Sequence, residues 1–81
     1  MEVKLYSTRS CFWCRKTKDF FRRNNIKYHE IDISENPEAL DWMMERLGEI
    51  VTPVIEVDKE IVVGFDQERL TEIFEGENKI S

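Results

Sequence analysis

The sequence predicts an α/β sandwich of order β-α-β-α-β-β-α, a four-stranded mixed sheet with helices on both faces, in one domain spanning residues 1–81. Three observations lead there. A strand–helix–strand unit opens the chain, and such a unit makes its two strands parallel through a right-handed crossover. Two β-branched runs follow close enough together to form a hairpin, which adds an antiparallel pair. The second strand carries apolar residues on alternate sides, so both faces of the sheet need cover.

Taken in order, Val3 to Tyr6 alternates apolar and polar residues as the first strand. A helix is expected from about Cys11 to Asn24. Its Cys14, Thr17, Phe20 and Phe21 fall on one stripe, and Asn24-Asn25 ends it. Ile26 to Ile33 reads as the second strand, Ile26 and Tyr28 facing one way and Ile31 and Ile33 the other. His29 is expected to be an exposed strand residue. Asn36-Pro37 starts the second helix as an N-cap with proline in the first turn. Leu40, Met43, Met44 and Leu47 form its expected apolar stripe, with Trp42 off that stripe and Gly48 as the stop. Val54–Val57 and Ile61–Val63 make the hairpin across Asp58-Lys59-Glu60. Gly64-Phe65 turns the chain, Asp66 caps a last helix with Leu70, Ile73 and Phe74 inward, and Gly76 is expected to end it. The tail 76–81 is expected to fray.

The chemistry concentrates in Cys11-Phe12-Trp13-Cys14, where strand meets helix. Two cysteines three apart in that context read as a redox pair. The first falls at a helix N-terminus, where unpaired N–H groups and the macrodipole stabilise a thiolate. That setting lowers a cysteine pKa from about 8.5 into a range of roughly 3.5–7.5. The second lies one turn in, on the face turned toward the core. A closed zinc site needs four ligands, and two cysteines with one histidine do not supply them as sulfur and imidazole, so no metal is expected.

Eighty-one residues with 41% hydrophobic content suffice for one small core. No apolar run approaches membrane-spanning length, and Met1-Glu2-Val3-Lys4 leads directly into a strand, so neither membrane nor leader is expected. A reducing, cytoplasmic location follows, where a cysteine pair is more often catalytic than structural. The net charge of −5 argues against nucleic acid as a partner. The charge is uneven: residues 1–30 hold eight basic side chains against three acidic ones, and residues 31–81 hold four against fourteen. Arg9 and Arg15 are the cations near enough to the motif to act on a thiolate or an anionic substrate.

The sequence resembles the glutaredoxin family of the thioredoxin superfold, most closely its short bacterial-type glutaredoxin-like members. Cys11-Phe12-Trp13-Cys14 after the first strand, Thr52-Pro53 before the third and Gly64-Phe65-Asp66 after the fourth carry the resemblance. It implies a thioredoxin-like fold, a monomer and a dithiol oxidoreductase that reduces protein disulfides or glutathione mixed disulfides. In that reading Cys11 is the nucleophile and Cys14 the resolving residue, with glutathione as reducing cosubstrate. The resemblance also implies a cis Pro53 that brings the backbone of Thr52 to the active sulfur. Arg9, Phe12, Trp13, Thr52, Pro53, Gly64, Phe65 and Asp66 become the candidate substrate- and glutathione-binding residues, although for Asp66 plain N-capping is an equally good explanation.

The sequence departs from the family pattern at several points. Phe12 stands where proline is common, Val51-Thr52-Pro53 replaces Thr-Val-Pro, and Val63-Gly64 replaces Gly-Gly. Thr8 takes the place of a basic residue, and Glu49 adds a negative charge near the expected glutathione carboxylate. Two alternatives follow. One is a redoxin fed by thioredoxin reductase that donates electrons to an enzyme such as ribonucleotide reductase. The other is an iron–sulfur carrier holding a cluster across a dimer.

Overall fold

The computed structural model describes the backbone of residues 1–80 and the side chains of residues 1–75. In chain order the elements are β1 (Val3–Ser7), α1 (Phe12–Arg23), β2 (His29–Asp32), a single 3-10 turn (Ile33–Glu35), α2 (Pro37–Leu47), β3 (Val54–Val57), β4 (Glu60–Val63) and α3 (Gln67–Ile80). The sheet order is β2-β1-β3-β4. β1 and β2 are parallel, with Lys4 opposite His29, and the β1–β3 and β3–β4 pairs are antiparallel. This is the mixed four-stranded sheet that the sequence predicts.

Each face of the sheet has its own core. On one side Val3, Leu5, Ile55, Val57 and Val62 pack under Phe20 and Phe21 of α1 and Leu70 of α3, with Ile73 and Phe74 at the margin. On the other, Tyr6, Val54 and Ile33 meet Ala39 and Met43 of α2. The alternation of β1 accounts for the division, because successive side chains leave a strand on opposite faces. Phe21, Leu5, Ile55, Met43 and Leu70 are fully buried and anchor the two layers.

Local chemistry sets the element ends. Cys11 caps α1, and the side-chain amide of Asn24 closes it by donating to the Phe20 carbonyl at 2.8 Å. Asn36 accepts the Ala39 N–H at 3.1 Å, with Pro37 in the first turn of α2, and Gly48 ends that helix in the left-handed conformation at φ 74. A side chain there would be strained, so glycine is the natural stop. Asp66 accepts the Arg69 N–H at 3.1 Å as the cap of α3.

Several details differ from the sequence reading. β2 is half the expected Ile26–Ile33 length. Asn25 turns the chain at φ 55, Ile26 and Tyr28 reach the α1-side core from an extended segment outside the ladder, and Asp32 stops the strand by accepting the N–H and hydroxyl of Ser34. The expected opposite facing of Ile26 and Tyr28 against Ile31 and Ile33 holds. Met44 is not in the α2 stripe but 49% exposed. Trp42 packs instead, stacked on Tyr6 with ring centroids 4.5 Å apart. The flat Tyr6 ring rewards an aromatic partner, and α2 turns so that Ala39 and Met43 meet the sheet. The hairpin loop is two residues, Asp58-Lys59, and Glu60 begins β4. Asp58 sits at φ 53, a conformation Asp tolerates better than most residues, and its carboxylate accepts the Glu2 N–H at 2.9 Å. Finally, α3 runs past Gly76 to Ile80, so Gly76 is not its stop. Of the tail 76–81 expected to fray, residues 76–80 are described in backbone alone and Ser81 lies outside the described residues.

Candidate active site

Strand directions bring three loops to one end of the sheet. β1 ends where β3 begins, because Tyr6 pairs with Val54, and β4 ends there too, because Val54 pairs with Val63. The loop carrying Thr8 to Cys11, the loop ending in Thr52-Pro53 and the turn Gly64-Phe65-Asp66 therefore converge. Direct contacts join them. The Thr8 and Thr52 hydroxyls lie 3.5 Å apart, the Gly64 N–H donates to the Pro53 carbonyl at 2.8 Å, and the Trp13 and Phe65 rings stack at 6.2 Å.

Cys11 and Cys14 are joined as a disulfide with Cα atoms 5.1 Å apart. The two sulfurs differ in access. Cys14 is 1% exposed, whereas Cys11 is only partly covered. Cys11 is also the N-cap of α1, its sulfur accepting the Cys14 N–H at 3.0 Å. A group at that position faces the positive end of the helix macrodipole, which favours negative charge on it. Phe12 and Trp13 point outward, 51% and 54% exposed, and meet edge to face at 5.1 Å.

The Thr52–Pro53 peptide bond is cis, and Pro53 is buried. The N–H and carbonyl of Thr52 make no backbone hydrogen bond among the described residues. They are thus open to an extended peptide laid across this loop. Gly64 adopts φ 84, which the turn into α3 requires. The structure therefore gathers Cys11, Cys14, Phe12, Trp13, Thr52, Pro53, Gly64, Phe65 and Asp66 at one end. Asp66 meets its capping expectation.

Arg9 is placed differently from the other candidates. Its guanidinium donates to Glu35 at 3.0 Å and lies 3.9 Å from Asp32, so it faces acids at the end of β2. It still borders a depression of about 260 Å³ beside the cysteines.

That depression is the feature that sequence reasoning missed. Its floor holds Ser7, Lys18 and Glu30 next to Cys14. Lys18 Nζ donates to Glu30 at 2.7 Å, and the buried Ser7 hydroxyl donates to the same carboxylate oxygen at 2.8 Å. The Lys18 bond, with help from Ser7, holds the Glu30 carboxyl below the ordinary carboxylate range against the opposing effect of burial. One half of this signal is in the sequence, since Cys14 and Lys18 are four apart and share a helix face. The other half is the parallel register of β1 on β2, which no local pattern reveals. Among the described residues, no group of three or more His, Cys, Asp or Glu side chains is placed to hold a metal ion.

The fold and the cysteine pair at the N-terminus of α1 define a redox protein of the thioredoxin-like class. The glutaredoxin family model matches residues 3–62, and the chain belongs to that family. It is a thiol–disulfide oxidoreductase. It is 30% identical over 73 residues to an uncharacterized glutaredoxin-like 8.6 kDa protein of a rubredoxin operon in Clostridium pasteurianum, covering 90% of this chain and 97% of that protein. It is 31% identical over 71 residues to the glutaredoxin-like protein NrdH of Lactococcus lactis, covering 88% and 97%. Among solved structures, the thioredoxin-like protein BC3987 superposes with a TM-score of 0.82 at 28% identity over 89% of this chain and 99% of that one. The NrdH-redoxin of Escherichia coli reaches 0.83 at 20% identity, covering 90% and 95%, a likeness of fold.

Proposed function

We propose that this chain is a dithiol oxidoreductase of the reducing cytoplasm, acting on protein disulfides or glutathione mixed disulfides with glutathione as its reductant. The observation that carries the reading is the asymmetry of the pair: Cys11 is accessible and capped by a helix N–H, whereas Cys14 is enclosed. Cys11 attacks a sulfur of the substrate as the thiolate and forms a mixed disulfide. Cys14, or a second glutathione, then releases it. The open backbone of Thr52 pairs with the peptide-like part of the substrate. Phe12, Trp13 and Phe65 flank it, Gly64 lets the backbone approach, and the N-terminus of α3 at Asp66 receives a carboxylate.

A second reading is favoured by a specific observation. Arg9, a basic side chain bordering the depression beside the cysteines, is occupied by Glu35 and Asp32. A redoxin fed by thioredoxin reductase, passing electrons to an enzyme such as ribonucleotide reductase, does not need that cation. The similarity to a protein named NrdH points the same way.

The experiment is reduction of the oxidised chain by glutathione with its reductase, and separately by thioredoxin reductase, each followed by NADPH consumption. Turnover with glutathione is the expected result. Turnover with thioredoxin reductase alone replaces the first reading by the second.

A further inference from the structure

The first two turns of α1 carry a charge arrangement that folding does not ask for. Helix N-termini favour acidic side chains and disfavour cations. Yet the first turn of α1 has no acidic residue, and Arg15 and Lys16 follow Cys14 directly, both exposed. Neither takes part in an ion pair among the described residues, and Lys16 Nζ instead lies 5.3 Å from the centre of the Phe12 ring. Arg9 is engaged by Glu35 and Asp32, Lys18 by Glu30 and Arg22 by Asp19, and Arg23 stands in the last turn of α1, where the macrodipole favours a cation. Arg15 thus borders the depression that holds Cys11, and Lys16 stands over the exposed Phe12 ring next to the exposed Trp13.

We propose that Arg15 and Lys16, with Phe12 and Trp13, form a docking strip for partner segments whose disulfide cysteine is flanked by acidic residues. Charge complementarity argues for that occupant: Arg15 and Lys16 are exposed cations with no acidic partner among the described residues, so an acidic flank beside the partner cysteine meets them and a basic one is repelled. The proposal rests on the dithiol reading above. The reaction it serves balances within the pair of proteins. The Cys11 thiolate bonds to one partner sulfur, the partner disulfide breaks, and its other sulfur leaves as a thiolate that takes a proton from solvent. Cys14 then loses its proton to solvent and attacks Cys11, freeing the second partner thiol. Two electrons have passed to the partner, and Cys11–Cys14 is the new disulfide.

The test is single-turnover kinetics of the pre-reduced full-length chain with three peptide disulfides, identical except for acidic, amide or lysine residues flanking the cysteine. The readout is the ratio of rates for the acidic and basic peptides, because a charge near Cys11 alters its thiolate equally for all three. A ratio of about ten at low ionic strength, falling toward one at about 0.5 M salt, is expected. In Arg15→Glu/Lys16→Glu the ratio inverts. A ratio near one at low salt, or one unchanged by the double substitution, overturns the docking strip while leaving the dithiol reading intact. Failure of the wild type to reduce any of the three peptides overturns both. Sedimentation at the same low salt showing a dimer that the double substitution dissociates assigns the strip to a second copy and also overturns the proposal.

Discussion

The depression beside Cys14 is held by one carboxylate, and its contribution can be isolated by pH. Glu30→Gln keeps the size of the side chain and an oxygen that accepts the Ser7 hydroxyl, but removes the charge that Lys18 meets at 2.7 Å. The side chains of this pair are 31% and 39% exposed, so solvent screens it, and the loss is about 1 kcal/mol. In a domain of this size that is a fall in Tm of about 4–8 °C. The sign follows from the direction of the shift. The Glu30 carboxyl lies below its ordinary value of 4.5 in the folded chain, so its stabilisation is present above pH 4.5 and disappears as pH falls through the folded-state value. Urea unfolding of both proteins at pH 7 and pH 3 measures this: the wild type is expected to exceed the variant at pH 7 and to lose that lead as pH falls toward 3. Glu30→Leu is the control. It leaves the buried Ser7 hydroxyl without its acceptor, a cost of about 1–3 kcal/mol that persists at both pH values. A Glu30→Gln deficit of equal size at pH 7 and pH 3 refutes the ionic account.

Further outcomes follow from the packing. Met43→Ala is expected to cost about 2–5 kcal/mol, because the side chain is fully buried, and Met44→Ala under about 0.5 kcal/mol, because it faces solvent; chemical denaturation compares the two. Trp42→Ala, which removes the stack on Tyr6, is expected to lower stability by about 3–5 kcal/mol or less, since Trp42 is half-buried, and to weaken the near-ultraviolet circular dichroism. Burial, with the Glu56 charge and the 3.2 Å hydrogen bond the phenol donates to it, pushes Tyr6 up to about 12. The folded state therefore favours the neutral phenol. This stabilisation is complete below about pH 10 and is lost as pH rises toward 12, a dependence expected to vanish in Tyr6→Phe.

Sequence legibility tracked the range of the interactions. Local rules sufficed for Cys11 at a helix N-terminus, for the Asn36-Pro37 start and Gly48 stop of α2, and for Asp66 as a cap, because each depends on residues within one turn. The stripe Cys14, Thr17, Phe20 and Phe21 was readable because α1 has one strongly apolar face among basic residues. α2 was less so. Leu40, Met43 and Leu47 pack as the stripe predicts, but Ala39 and Trp42 join them in place of Met44, and that exchange depends on the Tyr6 ring across the interface. The length of β2 was illegible for a similar reason: Ile26 and Tyr28 are buried by helix contacts rather than by strand pairing. In the site, the cysteines and the Thr52-Pro53 and Gly64-Phe65-Asp66 marks stood out in sequence. The engagement of Arg9 and the Ser7–Glu30–Lys18 cluster did not, since both arise from register between strands.

The central claim is that Cys11 attacks and Cys14 resolves. Its most direct test is to mix reduced Cys14→Ser with glutathione disulfide, remove excess reagent, and map the adduct by mass spectrometry. A single stable glutathione adduct on Cys11, with wild type ending as the Cys11–Cys14 disulfide under the same conditions, is the expected result. An unmodified Cys11, or turnover that survives in Cys11→Ser, contradicts the mechanism.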